Sequence, residues 1–420
     1  MKNFLEKAAR IQQRINELSP QYSKTALYGS KAFIEKSNKI ALWMKEAGLQ
    51  TRIDNFGNIR GKLISKSLNA GTFVVGSHYD NGVAAEKNDG ILGVLAGISM
   101  VEHLQSQGLE IPFHIEVIAF AEQEGLRFGV TSLGSKVVSG TFENKLLELR
   151  DPGGVTLSEV VKSMHLNPEK LKEDAIPADE FLGFFEIHVE QGSLLADAGI
   201  PLGIAGSIFG QKRIEIIFSG KIGHAGSLAM DKRNDALAAA AKFITTVEKY
   251  AKRSKSHIVA TVTKIHVPGA ASNKIAGTVT CTLDLRSNNE SSISEAYEII
   301  HNDCEKICGK RNIYFEWKLV QESEPVICNK KLRRLLGNSI TEKNIKFLSM
   351  ESGVIYDAAV ISKVAPVVIL FLISLKENNG NWPENQESSN IAKALEVSDS
   401  FLKQLLSSSE KSFRKKEKEK

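Results

Sequence analysis

Three apolar runs in the first third of the chain leave few folds open. TFVVGSH (Thr72 to His78) and PFHIEVIAFAEQEG (Pro112 to Gly125) read as buried strands. Between them DGILGVLAGISMVEHLQSQG (Asp89 to Gly108) has helical spacing, with Ile91, Leu95, Ile98 and Val101 near one face. Strands that alternate with helices predict an α/β fold, a mixed and largely parallel sheet flanked by helices. Sheets of this kind place their sites just beyond the carboxyl ends of strands. His78 and Glu124 each follow an apolar strand run, so both are expected at such ends.

At 420 residues the chain exceeds one ordinary core, and two domains are expected. The texture changes near Gln211. RIEIIFSGKIGHAG (Arg213 to Gly226), HIVATVTKIHVPG (His257 to Gly269), GTVTCTLDLRS (Gly277 to Ser287) and NIYFEWKLV (Asn312 to Val320) read as strands. DALAAAAKFITTVEKYAKR (Asp235 to Arg253) and SSISEAYEIIHNDCEKICGK (Ser291 to Lys310) read as helices, the second with Ser291 as its cap. The chain then returns near Pro325, with VAPVVILFLIS (Val364 to Ser374) as another buried strand. The predicted division is a metal-binding domain over 1–210 and 326–420, its tail 407–420 disordered, and an inserted α+β domain over 211–325. The start is read as an amphipathic surface helix with Phe4, Ala8, Ile11 and Ile15 near one face.

The net charge of +5 is partly local, since the tail after Ser409 holds six Lys/Arg against three Glu. About +2 remains for the body, which gives no footprint for nucleic acid. No apolar run of 18 residues predicts a membrane span. Cys281, Cys304, Cys308 and Cys328 lack the paired spacing of a four-thiolate site and read as buried thiols. Together with a charged amino terminus this predicts a cytoplasmic protein.

GSHYD (Gly76 to Asp80), NDG (Asn88 to Gly90), EQEG (Glu122 to Gly125) and EIHVEQG (Glu186 to Gly192) gather His78, Asp80, Asp89, Glu124 and His188. Histidine and carboxylate side chains are the ligands of zinc or manganese. Asp80 suits an orienting role, fixing the tautomer of His78. Asp89 has two oxygens and could bridge two cations, with Glu124 and His188 binding one apiece. Taken singly, His78 also reads as a buried histidine and Asp89 as a helix cap.

With these segments in hand, the chain resembles the allantoate amidohydrolase and N-carbamoyl-L-amino-acid hydrolase branch of the dinuclear zinc peptidase superfamily. GSHYD, DGILGVLAG, EQEGLRF, Leu133 to Ser135, EIHVEQG, Gly210 to Arg213, His224 to Gly226, Met230 to Ala236 and Leu283 to Ser287 follow that family's elements in order. The resemblance implies a zinc-peptidase-like catalytic domain with an inserted lid or dimerisation domain, a homodimer, and one or two Zn or Mn ions. It implies that His78, Asp89 and His188 hold one metal and that Asp89 and Glu124 hold part of the other. It assigns Asn273 and Arg286 to the carboxylate of a small substrate, Gln191 and Gln211 to further substrate contacts, and His224 to a partner subunit's site, where it polarises the scissile carbonyl.

The chain departs from that pattern at three chemically sensitive positions. The family's general base, just before the metal-binding Glu, is here Gln123, and an amide accepts no proton at neutral pH. Glu122, one residue away, should point to the other side if the segment stays extended. The last metal histidine corresponds to Asn381 in NNGNWPE, with Glu384 as an alternative donor, and SGVIYDA puts Tyr356 at a histidine position. Two expectations stand side by side. One is a metal-dependent amidohydrolase cleaving a C–N bond of a ureido, carbamoyl or amide group. The other is a catalytically degenerate relative that binds a small carboxylate or a partner protein. A peptidase or aminoacylase of the wider superfamily is a third, which EQG after His188 and the GQ-x-R element argue against.

Overall fold

The computed structural model describes residues 2–22, 26–80, 89–374 and 386–418. The chain divides into two compact units, one of Met1–Gly206, Cys328–Met350 and Tyr356–Lys420, the other of Ser207–Ile327 and Glu351–Ile355. The short segment Glu351–Ile355, expected with the metal-binding domain, groups with the second unit. Its backbone is captured there: Gly353 O accepts from Arg286 Nη1 at 2.6 Å and Ser352 O accepts from Phe209 N at 2.8 Å.

In the first unit the sheet runs Gln50–Ile53, Ile59–Leu63, His114–Phe120, Thr72–His78, Phe181–Val189, Val367–Leu372 and Leu202–Ile208, with Phe347–Ser352 also pairing the last of these. The four central strands are mutually parallel. Thr72–His78 and Val367–Leu372 are buried at every position, which is why their sequences are apolar on both faces. In parallel register His78 lies opposite Phe120, so the two strands end side by side.

The helix Asp89–Ser106 is apolar nearly all round and buried along most of its length. It packs on the sheet at very short range. A Cβ at Gly93 would stand 2.1 Å from Ile187 O, so only glycine permits this approach. The amino-terminal helix Lys2–Tyr22 buries Ala8, Ile11 and Ile15, with Phe4 half-buried against the same core. The last helix, Gln386–Lys418, covers 407–418 of the segment expected to be disordered. That stretch has neither Gly nor Pro after Pro383 and is rich in Lys, Glu and Ser, so the backbone meets no helix breaker.

The second unit is a four-stranded antiparallel sheet in the order Tyr314–Ser323, Gly210–Ser219, Thr278–Ser287, Val259–His266, covered by the helices Ala236–Arg253 and Glu290–Gly309. The single strand expected over Arg213 to Gly226 is two strands, broken after Ser219, with Gly223–His224 paired to Lys274–Ile275. Just past the break the chain runs close to Asn234, where a Cβ at Gly220 would stand 2.1 Å from Asn234 O. The second helix is capped by Asn289 in place of Ser291: Asn289 Oδ1 accepts from Ser292 N at 3.1 Å, and Ser291 Oγ donates to the same oxygen. Among the described residues no helix is long and apolar enough to cross a membrane.

Candidate metal centre

Two neighbouring strand ends and one helix start bring the centre together. Thr72–His78 delivers His78, Phe181–Val189 delivers His188, and the helix Asp89–Ser106 opens with Asp89. All three side chains are buried, and among the described residues they form the one His/Cys/Asp/Glu group whose ligand atoms lie within 4.8 Å of one another.

The ring nitrogens are already sorted. His78 Nδ1 is 3.3 Å from the Asp80 backbone O and 3.2 Å from Asp80 Oδ1, and His188 Nδ1 is 3.0 Å from Val189 O. Each Nδ1 therefore donates to an oxygen, which turns the lone pair of each Nε2 into the centre. The two Nε2 atoms face each other at 3.2 Å, with Asp89 Oδ1 4.0 Å from that of His78. Two lone pairs at this distance repel unless a proton or a cation lies between them, so the donor set fits a divalent metal. Gly90 keeps the approach open, since a Cβ there would stand 2.4 Å from His78 Nε2.

Electrostatics favour the same occupant. Burial would lower the His78 imidazole, but the Asp80 hydrogen bond and the charges of Asp80, Asp89 and Glu124 push it up to about 10. Burial takes His188 down to about 4, against the pull of Asp89. The pair thus holds one proton, which a metal must displace. Burial alone would raise the Asp89 carboxyl, yet the charges of His188 and His78 and the Gln191 amide hold it below the ordinary range. Gln191 Nε2 donates to Asp89 Oδ2 at 2.7 Å.

The end of His114–Phe120 is arranged differently. The chain turns sharply, with Glu122 in the left-handed region at φ 50°, so it is not extended past the strand. Glu122 Oε1 accepts from Arg127 N at 3.3 Å, which ties its carboxyl to the following loop. Burial, and then the Asp80 charge, push it up to about 8. Glu124 stands outside the three-residue group; its backbone N donates to Asp80 Oδ2 at 2.8 Å. Asp80 Oδ2 is therefore taken by the Glu124 backbone, while the buried Oδ1 stands 3.2 Å from His78 Nδ1 and accepts no hydrogen bond of good geometry. Gln123 is buried in the same turn.

Tyr356 is buried with its ring edge-on to that of His188, the centroids 4.6 Å apart. Next to it, Asp357 and Glu186 are both fully buried. Burial, followed by the charge of Asp357, pushes Glu186 well above the carboxylate range, and Glu186 Oε2 accepts from Ala358 N at 3.0 Å. Sequence reading assigned no role to Glu186, Asp357 or Lys36. For Lys36 a signal existed, a lysine on a helix face otherwise made by Phe33, Ile40 and Met44. Asn381 and Glu384 lie outside the described residues.

In the second unit Gln211 and Arg286 are direct cross-strand partners. The Arg286 fork holds Asp284, Nε to Oδ1 at 2.6 Å and Nη2 to Oδ2 at 3.1 Å, and Gln211 also donates to Asp284. His224 is exposed in the short ladder opposite Lys274, and Ala225 N donates to Asn273 O at 2.9 Å, which keeps His224 and Asn273 adjacent.

A buried His–Asp–His group at the carboxyl ends of a mixed sheet places the chain in the class of metal-binding α/β hydrolases. It belongs to peptidase family M20/M25/M40, which residues 82–407 match. It is 31% identical over 370 residues to an N-carbamoyl-L-amino acid amidohydrolase of Geobacillus stearothermophilus, covering 87% of this chain and 90% of that protein. It is 31% identical over 399 residues to allantoate deiminase 1 of Glycine max, covering 87% and 82%. The crystal structure of AtUAH in complex with (S)-hydroxyglycine superposes at a TM-score of 0.82, with 26% identity over 94% of this chain and 97% of that one. A hydantoinase/carbamoylase family amidase of Burkholderia multivorans, at 23% identity and a TM-score of 0.80, shares the fold over 94% and 97%.

Proposed function

We propose that the chain is a metal-dependent amidohydrolase that cleaves a C–N bond of a ureido, carbamoyl or amide group in a small carboxylate-bearing substrate. The allantoate and N-carbamoyl-L-amino-acid types are the ones its relatives' names point to. One observation carries this reading: two buried Nε2 atoms 3.2 Å apart beside Asp89, each with its other nitrogen tied to an oxygen. His78, Asp89 and His188 would hold a divalent ion, zinc or manganese. Bound there, the ion supplies Lewis acidity to the substrate carbonyl and activates water.

The chain's own residues orient and bind. Asp80 fixes the His78 ring and Gln191 fixes Asp89. Gln211, Asn273 and Arg286 supply donors for the substrate, Arg286 exchanging Asp284 for the substrate carboxylate. His224 polarises the scissile carbonyl across a homodimer whose lid is the inserted domain, 211–325. In the hydrolysis the water oxygen bonds to the carbonyl carbon, the C–N pair leaves with nitrogen, and a water proton ends on that nitrogen. Gln123 cannot carry that proton, and the Glu122 carboxyl is committed to the Arg127 loop. Four buried free thiols support a cytoplasmic setting.

That same turn favours a second reading, a binding protein that keeps the scaffold without turnover. Ammonia release from allantoate, ureidoglycolate and N-carbamoyl-L-amino acids by the manganese- or zinc-loaded protein decides between them. Asp89→Ala is the blank. Release above that blank supports the enzyme. No release, restored by Gln123→Glu together with Asn381→His, supports the binding protein.

A further inference from the structure

Four side chains of the second unit form a block on one face of its sheet. In antiparallel register Gln211 lies opposite Arg286, and Arg213 lies opposite Asp284. Residues two apart on a strand share a face, so all four stand on the same side. It is the side turned away from the two helices, because the alternate positions Ile214, Leu283 and Leu285 pack into the core beneath them. Within the block one carboxylate collects the donors. Arg286 gives Asp284 its side-on fork, Nε and Nη2, and Gln211 Nε2 donates to Asp284 Oδ2 as well. Arg286 Nη1 donates to Gly353 O at 2.6 Å, so the guanidinium is held on two sides. Gln211 and Arg286 are the donors assigned above to the substrate, and here they serve a carboxylate of the chain itself. Asp284 has a second cation within reach. Arg213 Nη2 stands 3.6 Å from Asp284 Oδ2, inside ion-pair range but too long for a hydrogen bond.

We propose that Asp284 is a displaceable internal ligand of the substrate clamp, closing the Arg286 fork in the free protein and passing to Arg213 when a substrate carboxylate arrives. The inference rests on the proposed roles of Gln211 and Arg286 and adds the residue that governs access to them. Charge explains the device. A guanidinium with 24% of its side chain exposed is costly to leave without a counter-charge. Asp284 offsets that cost while the clamp is empty. An incoming carboxylate restores the same bidentate bonds, and Arg213 receives the displaced charge, so no ion is stranded at either stage. The exchange moves hydrogen bonds only and transfers no proton. A fork open in roughly one molecule in ten weakens carboxylate binding about tenfold. A ligand without a carboxylate does not need the fork and escapes that penalty. Asp284 acts through Arg286 and Gln211 as a positioning residue and touches no reacting atom.

The test is calorimetric titration of the full-length protein, with zinc present, against 4-oxopentanoate. This probe is the ketone counterpart of an N-acylglycine and has no C–N bond to cleave, and its methyl ester is the control without a carboxylate. Asp284→Asn should bind the acid about tenfold more tightly than wild type and change the ester by less than about threefold. Arg213→Gln, which removes the cation that receives Asp284, should bind the acid several-fold more weakly than wild type. A purely structural Asp284 predicts the opposite sign for the first variant, so unchanged or weaker acid binding by a folded Asp284→Asn overturns the proposal. If Asp284→Asn does not fold by circular dichroism, Arg213→Gln carries the comparison, and unchanged acid binding there overturns the proposal. Acid and ester bound alike by wild type and Asp284→Asn would instead overturn the carboxylate clamp beneath it. Tighter acid binding by Asp284→Asn in a protein that releases no ammonia would uphold the displaceable ligand and remove only the turnover.

Discussion

Thr72–His78 and His114–Phe120 are parallel neighbours that end in register, yet their ends do opposite things. After the first, His78 and Asp80 stand together, Nδ1 3.2 Å from Oδ1, as the proposed ligand and its neighbouring carboxylate. After the second, Glu122 turns through a left-handed conformation and anchors a loop, and Gln123, at the position our proposal gives to the general base, is an amide. The contrast teaches that holding a metal and moving a proton are separable properties of one site. In the proposed site the donor set is held by contacts from neighbouring backbone and side chains. A proton carrier is lost with a single carboxyl-to-amide change.

The largest effect expected is a gain from Gln123→Glu, which supplies a carboxylate at the base position. Ammonia release should rise roughly 100- to 10,000-fold over wild type in a steady-state assay. A change of less than a few-fold would mean that the second strand end was never the deficient one. Gly90→Ala attacks the first end, since its Cβ would collide with His78 Nε2. Calorimetric titration should show metal affinity lost, with the fold retained by circular dichroism. Asp80→Asn removes the oriented carboxylate and should weaken metal binding roughly 10- to 100-fold in the same titration. Metal at 100 times its Kd should add about 2.7 kcal/mol to unfolding stability, and nothing in Asp89→Ala, as read by denaturant melts. The smallest effect sharpens the contrast: Glu122→Gln should change turnover by less than roughly tenfold, because its carboxyl serves the loop. A loss in the general-base range would identify Glu122 as the proton carrier.

Much of this was readable from the residues. Apolar strands ending in GSHYD and AEQEG, with a helix opening on Asp89, fix both the sheet and the placement of His78 beside Asp89, because a parallel sheet leaves few other arrangements. The direction of the Glu122 side chain was not readable, since it depends on one positive φ that periodicity does not report. The engagement of Arg286 by Asp284 escaped as well. It is a contact two residues apart on one strand, a spacing that the LD-x-RS element contains but does not decode.

The interleaving of the two units has a consequence for how the protein is made. His188 sits on Phe181–Val189, whose parallel neighbour Val367–Leu372 pairs Phe371 with His188 and is translated only after the whole of Ser207–Ile327. On the ribosome the second unit emerges nearly complete while the first still lacks an interior strand, and units fold as they emerge. The ion centre is therefore finished last, after the inserted unit has taken shape. A nascent chain stalled before Val367 should resist protease within Ser207–Ile327 and retain no metal, and release of the remaining residues should add metal retention.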